Sequence, residues 1–176
     1  GEFERLLSQA PVNDPADRKI LVRMLVEIAK ADGELCGAEQ DFVRQFIDPS
    51  LGTVEALARL PDLTPDELGS TAAEVRPTLL LLSWTLAFSD KDLSVRELSR
   101  LRVFARGLHL APEISEELRR AAMAQILREA MDHTYRGGSR DAEAYEEVRV
   151  FASNAGLTPA NLKRYEDAAK ARLGAD

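Results

Sequence analysis

The sequence holds a single cysteine, Cys36. An internal disulfide is therefore excluded, and so is a thiolate zinc site, which needs several Cys or His ligands. The same scarcity fits a cytoplasmic setting. Only two histidines occur, His109 and His133. They are far apart and belong to no paired catalytic motif, so both read as capping or surface residues. Long apolar runs are also missing. The richest, Leu79 to Phe88 (LLLLSWTLAF), is about half the roughly 20 residues that span a bilayer. It reads as a buried central helix rather than as a membrane insertion. Positive charge is short: 23 Lys and Arg against 30 Asp and Glu leave a net charge of −7. Nonspecific nucleic-acid binding needs a basic face to displace counterions, and anionic membranes repel an acidic one. Alternating Val/Ile/Thr runs are absent, so no strand is expected. No secretory signal is evident. The chain starts Gly1-Glu2-Phe3 without methionine, so residues 1–13 read as an N-terminal segment, partly appended, with fused neighbours beyond it.

What is present suits a globular fold. The 176 residues are 45% hydrophobic and 30% charged, enough for a core without metal or disulfide staples. The expectation is an all-α protein of about seven to nine helices, a single domain over residues 14–176. Asp14-Pro15 caps a first helix. In it Ile20, Leu21, Met24, Leu25, Ile28 and Ala29 share one face, while Arg23, Glu27 and Lys30 face away. That helix stops near Asp32-Gly33, and a second runs from about Gly37 to Ile47, ended by Asp48-Pro49. Residues 50–60 form a short helix closed by Pro61. Thr64 and Glu67 make a capping box for a helix that kinks or breaks at Pro77. Ser94 and Glu97 make a second box, for a helix burying Leu98, Leu101, Phe104, Ala105 and Leu108. Pro112 opens a long helix, Arg136-Gly137-Gly138-Ser139 is a loop tip, and helices at roughly 141–154 and 159–173 close the chain.

The chain is similar to itself. Setting Asp32 on Asp90, an offset of 58 residues, aligns Ala29 with Ala87, Glu34 with Asp92, Leu35 with Leu93, Glu39 with Glu97 and Phe46 with Phe104. Each copy is an apolar helix, an acidic turn D-x-[DE]-L, and a helix with Glu near its start. A weaker echo aligns RVFARGLHLAP at 102–112 with RVFASNAGLTP at 149–159. Three related hairpins, about 15–47, 77–108 and 141–173, would stack into one core.

The acidic turns carry a family resemblance. Ala31-Asp32-Gly33-Glu34-Leu35 with Glu39, repeated as Ser89-Asp90-Lys91-Asp92-Leu93 with Glu97, resembles the TerB family, named for tellurite resistance. TerB-like domains include the N-terminal part of some membrane-anchored J-domain co-chaperones. The resemblance covers about residues 15–130. It implies an all-α fold of about seven helices with an acidic surface at the two turns. It also implies a bacterial stress-response setting, metal ions, and assembly with other tellurite-resistance proteins in a membrane-associated complex. Lys91 departs from the glycine of the first copy, and the hairpin at 141–173 from the shorter family members.

The turns have two readings. As structure, Asp favours turns, Ser94 and Glu97 close a capping box, and acids near a helix start suit the dipole. Yet Cys36 is a poor N-cap although Glu39 is retained, and Asp32 follows a helix C-terminus, where a carboxylate is disfavoured. As chemistry, Asp32, Glu34, Glu39, Asp90, Asp92 and Glu97 could converge as an oxygen-rich cluster for a hard cation such as Ca²⁺ or Mg²⁺. An EF-hand is excluded, because the twelfth loop position, bidentate Glu there, is Val43 or Leu101 here. Cys36 has no evident base to make it a nucleophile. Arg136-Gly137-Gly138-Ser139-Arg140 lacks the P-loop pattern. Arg100, Arg102 and Arg106 form a basic stripe whose default is a solvated face. The leading expectation is a non-catalytic module binding a cation or a protein partner. The alternatives are an interaction or dimerisation domain of a larger co-chaperone-like protein, and a cation-dependent hydrolase using the same carboxylates.

Overall fold

A computed structural model describes residues 1–31, 33 and 37–176 of the chain. Among the described residues there is no strand, and ten α-helices are formed, slightly more than expected. They are α1 (Glu2–Gln9), α2 (Pro15–Lys30), α3 (Gly37–Arg44), α4 (Val54–Ala58), α5 (Pro65–Gly69), α6 (Arg76–Phe88), α7 (Val95–Gly107), α8 (Pro112–Tyr135), α9 (Ala142–Asn154) and α10 (Pro159–Leu173). Short 3₁₀ turns at Pro49–Leu51 and Ala73–Val75 complete the set. Packing divides the chain into two compact units, Gly1–Ala122 and Met123–Asp176.

Local signals set the helix ends. Asp14 accepts the Ala16 and Asp17 amides at the start of α2, and Thr158 caps α10 through the Asn161 amide. Both expected capping boxes form, Thr64 with Glu67 at α5 and Ser94 with Glu97 at α7. The helix opened by Thr64 is only one turn long, and Pro77 sits in the first turn of α6 rather than kinking a longer helix. Residues 2–9, read above as part of an N-terminal segment, form α1.

In the first unit α6 is the centre. Every residue from Thr78 to Phe88 is buried, as a helix apolar on all sides should be. Its hydroxyls are satisfied: Ser83 and Thr85 donate to the carbonyls four residues earlier, and Thr78 donates to the Ala10 carbonyl at 2.8 Å. α2 and α7 pack on α6 and on each other. α5 lies on α7 so closely that a Cβ at Gly107 would overlap the Leu68 side chain.

One expectation is corrected here. Arg23, Glu27 and Lys30 do not face solvent. Glu27 is buried, and Arg23 and Lys30 are largely covered. The irregular stretch 58–72 lies along this side of α2, and its backbone is bonded by α2 side chains. Lys30 Nζ donates to the Ala58 carbonyl at 3.1 Å and Arg23 Nη2 to the Pro61 carbonyl at 3.0 Å. Glu27 Oε1 accepts the Leu63 amide, and Asp17 accepts the Ala72 amide at 3.2 Å. Arg23 also pairs with Glu67, and Arg100 Nη2 of α7 donates to the second Glu27 oxygen at 2.9 Å. A segment too short for regular structure must satisfy its backbone elsewhere, and α2 supplies the partners.

In the second unit, Tyr135 is buried and donates its hydroxyl to Glu166 Oε1; Lys170 lies over its ring at 5.4 Å. Arg172 binds Asp132, and Arg140 stacks on Tyr145 while reaching Glu166 at 3.7 Å. Burial first, and then the hydrogen bond to Glu166, push the Tyr135 phenol up to about 12.

Two measurements test these arrangements. Glu27→Ala removes the acceptor for Leu63 and leaves Arg100 without its buried partner; it should cost about 3 kcal/mol in urea denaturation. Glu27→Gln keeps an acceptor oxygen and should cost less; equal losses would remove the amide bond as the cause. Tyr135 has a folded-state pKa above the ordinary value of about 10, so its contribution to stability is complete below pH 10 and is lost as pH rises towards 12. Absorbance titration should show a phenolate phase near pH 12 in the wild type that Tyr135→Phe lacks.

Candidate functional site

In the two hairpins α2–α3 and α6–α7 the helix ends that flank the turns correspond. α2 ends at Lys30 and α6 at Phe88; α3 begins at Gly37 and α7 at Val95. Each end keeps the 58-residue offset found in the sequence. The hydrogen bonds correspond too. Ala31 donates to Ile28 and Gly33 to Lys30, while Ser89 donates to Leu86 and Lys91 to Phe88. Gly33 has φ +98° and Lys91 has φ +61°, both in the left-handed region that terminates a helix. Glycine reaches that region without strain, whereas lysine carries a Cβ into it.

The carboxylates divide into two kinds. Asp90 and Asp92 are exposed, and Asp90 Oδ1 accepts the Asp92 amide at 2.9 Å, an Asx turn. Glu39 and Glu97, each third in its helix, are both buried. Glu97 Oε1 accepts the Ser94 amide at 3.2 Å, and Ser94 Oγ accepts the Glu97 amide at 3.1 Å. Asp32, Glu34 and Cys36, along with Leu35, lie outside the described residues. Among the described residues no three His, Cys, Asp or Glu side chains come together as a metal-binding group. Asp90, Asp92, Glu39 and Glu97 therefore do not form a complete donor set by themselves, and a cation site built from the six would depend on Asp32 and Glu34.

The other sequence candidates resolve individually. His109 is the left-handed residue ending α7, at φ +56°, with the Leu110 amide bonded back to Ala105. This is a structural C-cap. His133 is exposed on α8. The basic stripe splits. Arg100 is spent on Glu27, on Asp62 at 3.7 Å and on the Phe104 ring at 5.3 Å. Arg102 and Arg106 are exposed and have no ion-pair partner among the described residues. Between them and α6 lies a feature the sequence did not announce, an open groove of about 570 Å³ within the first unit. Its apolar lining comes from Trp84, Leu93, Leu98, Leu101, Ala105 and Leu110. Trp84 stacks on Phe88 with ring centres 5.5 Å apart, and its buried indole N–H has no hydrogen-bond partner among the described residues. At the far lip Glu116 is gripped by Arg119 at 2.6 and 2.8 Å and by Arg120 at 3.3 Å. The Arg119 hydrogen bonds hold the Glu116 carboxyl below its usual range.

Lys91→Gly should relieve the left-handed strain and stabilise the protein by about 0.5–1 kcal/mol, read as a higher midpoint in thermal denaturation. An unchanged or lower midpoint would mean that the lysine side chain compensates for the strain.

Among the described residues no helix is long and apolar enough to cross a membrane. Comparison with known proteins supplies one match: the family described as Tellurite resistance protein TerB, over residues 2–52. That stretch contains α1, α2, the first acidic turn and α3, and it ends before the second turn. No curated protein and no solved structure matches the chain. Residues 2–52 are thus similar to the TerB family, over less than a third of the chain.

Proposed function

We propose that this protein is a non-catalytic TerB-like binding module, related in function to tellurite resistance, which takes up a divalent cation or a basic protein partner at its paired acidic turns. The observation that supports this most is the register of the two turns. Equivalent left-handed residues and equivalent buried glutamates, Glu39 and Glu97, recur in the same register. A lone helix cap would not require both copies to bury the acid. Hard cations favour such carboxylate oxygens, with Asp32 and Glu34 completing the set begun by Asp90 and Asp92.

Calorimetric titration of Ca²⁺, Mg²⁺ and Mn²⁺ into chelator-stripped protein tests the cation. Binding by the wild type that a folded Asp32→Ala/Asp90→Ala variant loses is the expected result. Absence of heat at millimolar metal would overturn the cation reading. Unfolding of the double variant would mark the turns as structural.

A second reading, a protein-interaction domain, is supported by the groove along α7. Its apolar floor is flanked by the unpaired Arg102 and Arg106.

A further inference from the structure

The groove offers a more specific conclusion, which rests on the interaction-domain reading and not on the acidic turns. Its long wall is one stripe of α7: Leu98, Leu101, Arg102, Ala105 and Arg106. At 1.5 Å per residue this stripe runs for about 12 Å, or two helical turns. Arg102 and Arg106 stand one turn apart, four residues along the same helix, and both are exposed. The opposite lip belongs to the start of α8, where Arg119 and Arg120 are both paired with Glu116 and where Glu113 and Glu117 add two further acids, so it carries no net positive charge. The positive lip is that of Arg102 and Arg106, in a chain whose net charge is −7. Trp84 lines the groove but is largely buried, and its indole N–H has no partner among the described residues.

We propose that this groove docks an acidic amphipathic helix of a partner protein. Two turns of such a helix would lay apolar residues at i, i+3 or i+4 and i+7 on the Leu98–Leu101–Ala105 floor. Carboxylates along one flank would meet Arg102 and Arg106. Guanidinium groups bind carboxylates bidentately, and four-residue spacing on α7 matches four-residue spacing on an antiparallel or parallel partner helix. A basic helix would be repelled by Arg102 and Arg106, so charge sets the choice of partner.

Trp84 is the only tryptophan, so its emission reports on the groove alone. The probe is a synthetic peptide of about 14 residues with leucine at i, i+3, i+4 and i+7 and glutamate along one flank. It is compared with the same peptide carrying lysine for glutamate, and with dodecanoate. The expected result is a saturable change of Trp84 emission with the glutamate peptide, weakened by added salt and weakened about tenfold or more by Arg102→Glu/Arg106→Glu. Arg102→Lys/Arg106→Lys should keep most of the binding. Both arginines are exposed, so circular dichroism should show these variants folded. No change with the glutamate peptide, equal binding of the lysine peptide, or binding unaffected by the charge reversal would overturn the proposal. A response to dodecanoate without one to the peptide would overturn it in favour of a small amphiphile, and a concentration-dependent dimer that the charge reversal abolishes would overturn it in favour of a second copy of the chain. The Asp32→Ala/Asp90→Ala variant should bind the peptide like the wild type, which separates failure at the acidic turns from failure at the groove.

Discussion

The first unit depends on one polar edge of α2. Asp17, Arg23, Glu27 and Lys30 run along it and bond the backbone of residues 58–72. That stretch holds one helix of a single turn, α5, and little else that is regular, so it cannot close its own hydrogen bonds. The edge anchors the stretch, the stretch presents α5 to α7, and α7 sits where Gly107 admits Leu68. Arg100 closes the loop by binding Glu27 from α7. A buried charge is costly without a partner; here each oxygen of Glu27 has one. Helices distant in sequence are thereby tied through a single carboxylate, and the hydrophobic contacts of α6 are built around a frame that is partly ionic.

Much of this was legible from residue order. Caps are local, so Asp14, Thr64 and Ser94 announced helix starts that the structure reproduces. The continuous apolar run at 79–88 could only be an interior helix, and α6 is one. The 58-residue offset placed the helix ends around both turns before any coordinate did. What escaped was decided at long range. Glu27 has the spacing of a solvent-facing residue, and only the arrival of residues 58–72 buries it. The helix started by Thr64 ends after one turn because Thr71 and Arg76 bond the backbone that would continue it. α1 was missed because an eight-residue helix lies below the length that periodicity can certify.

The candidate sites divide the same way. Six carboxylates could be named from the motif, and of these Glu39 and Glu97 are each buried. Convergence on a ligand is a three-dimensional property that no spacing rule fixes. The groove was invisible in the sequence for a related reason. Arg102 and Arg106 look like any solvated pair until α6 and the start of α8 enclose the space beside them. Trp84 was read as core, which it is, yet one edge of it also forms a floor.

The left-handed lysine has a further consequence. Two turns in one register would be interchangeable if their side chains matched, and any ligand would meet them as equals. Lys91 breaks that equivalence, because it sets a positive charge between Asp90 and Asp92 where the first turn has only the hydrogen of Gly33. The two turns are thus alike in register and unlike in charge: the first carries two carboxylates and no cation, the second two carboxylates and one cation. A positive charge would be attracted less strongly beside the second turn than beside the first.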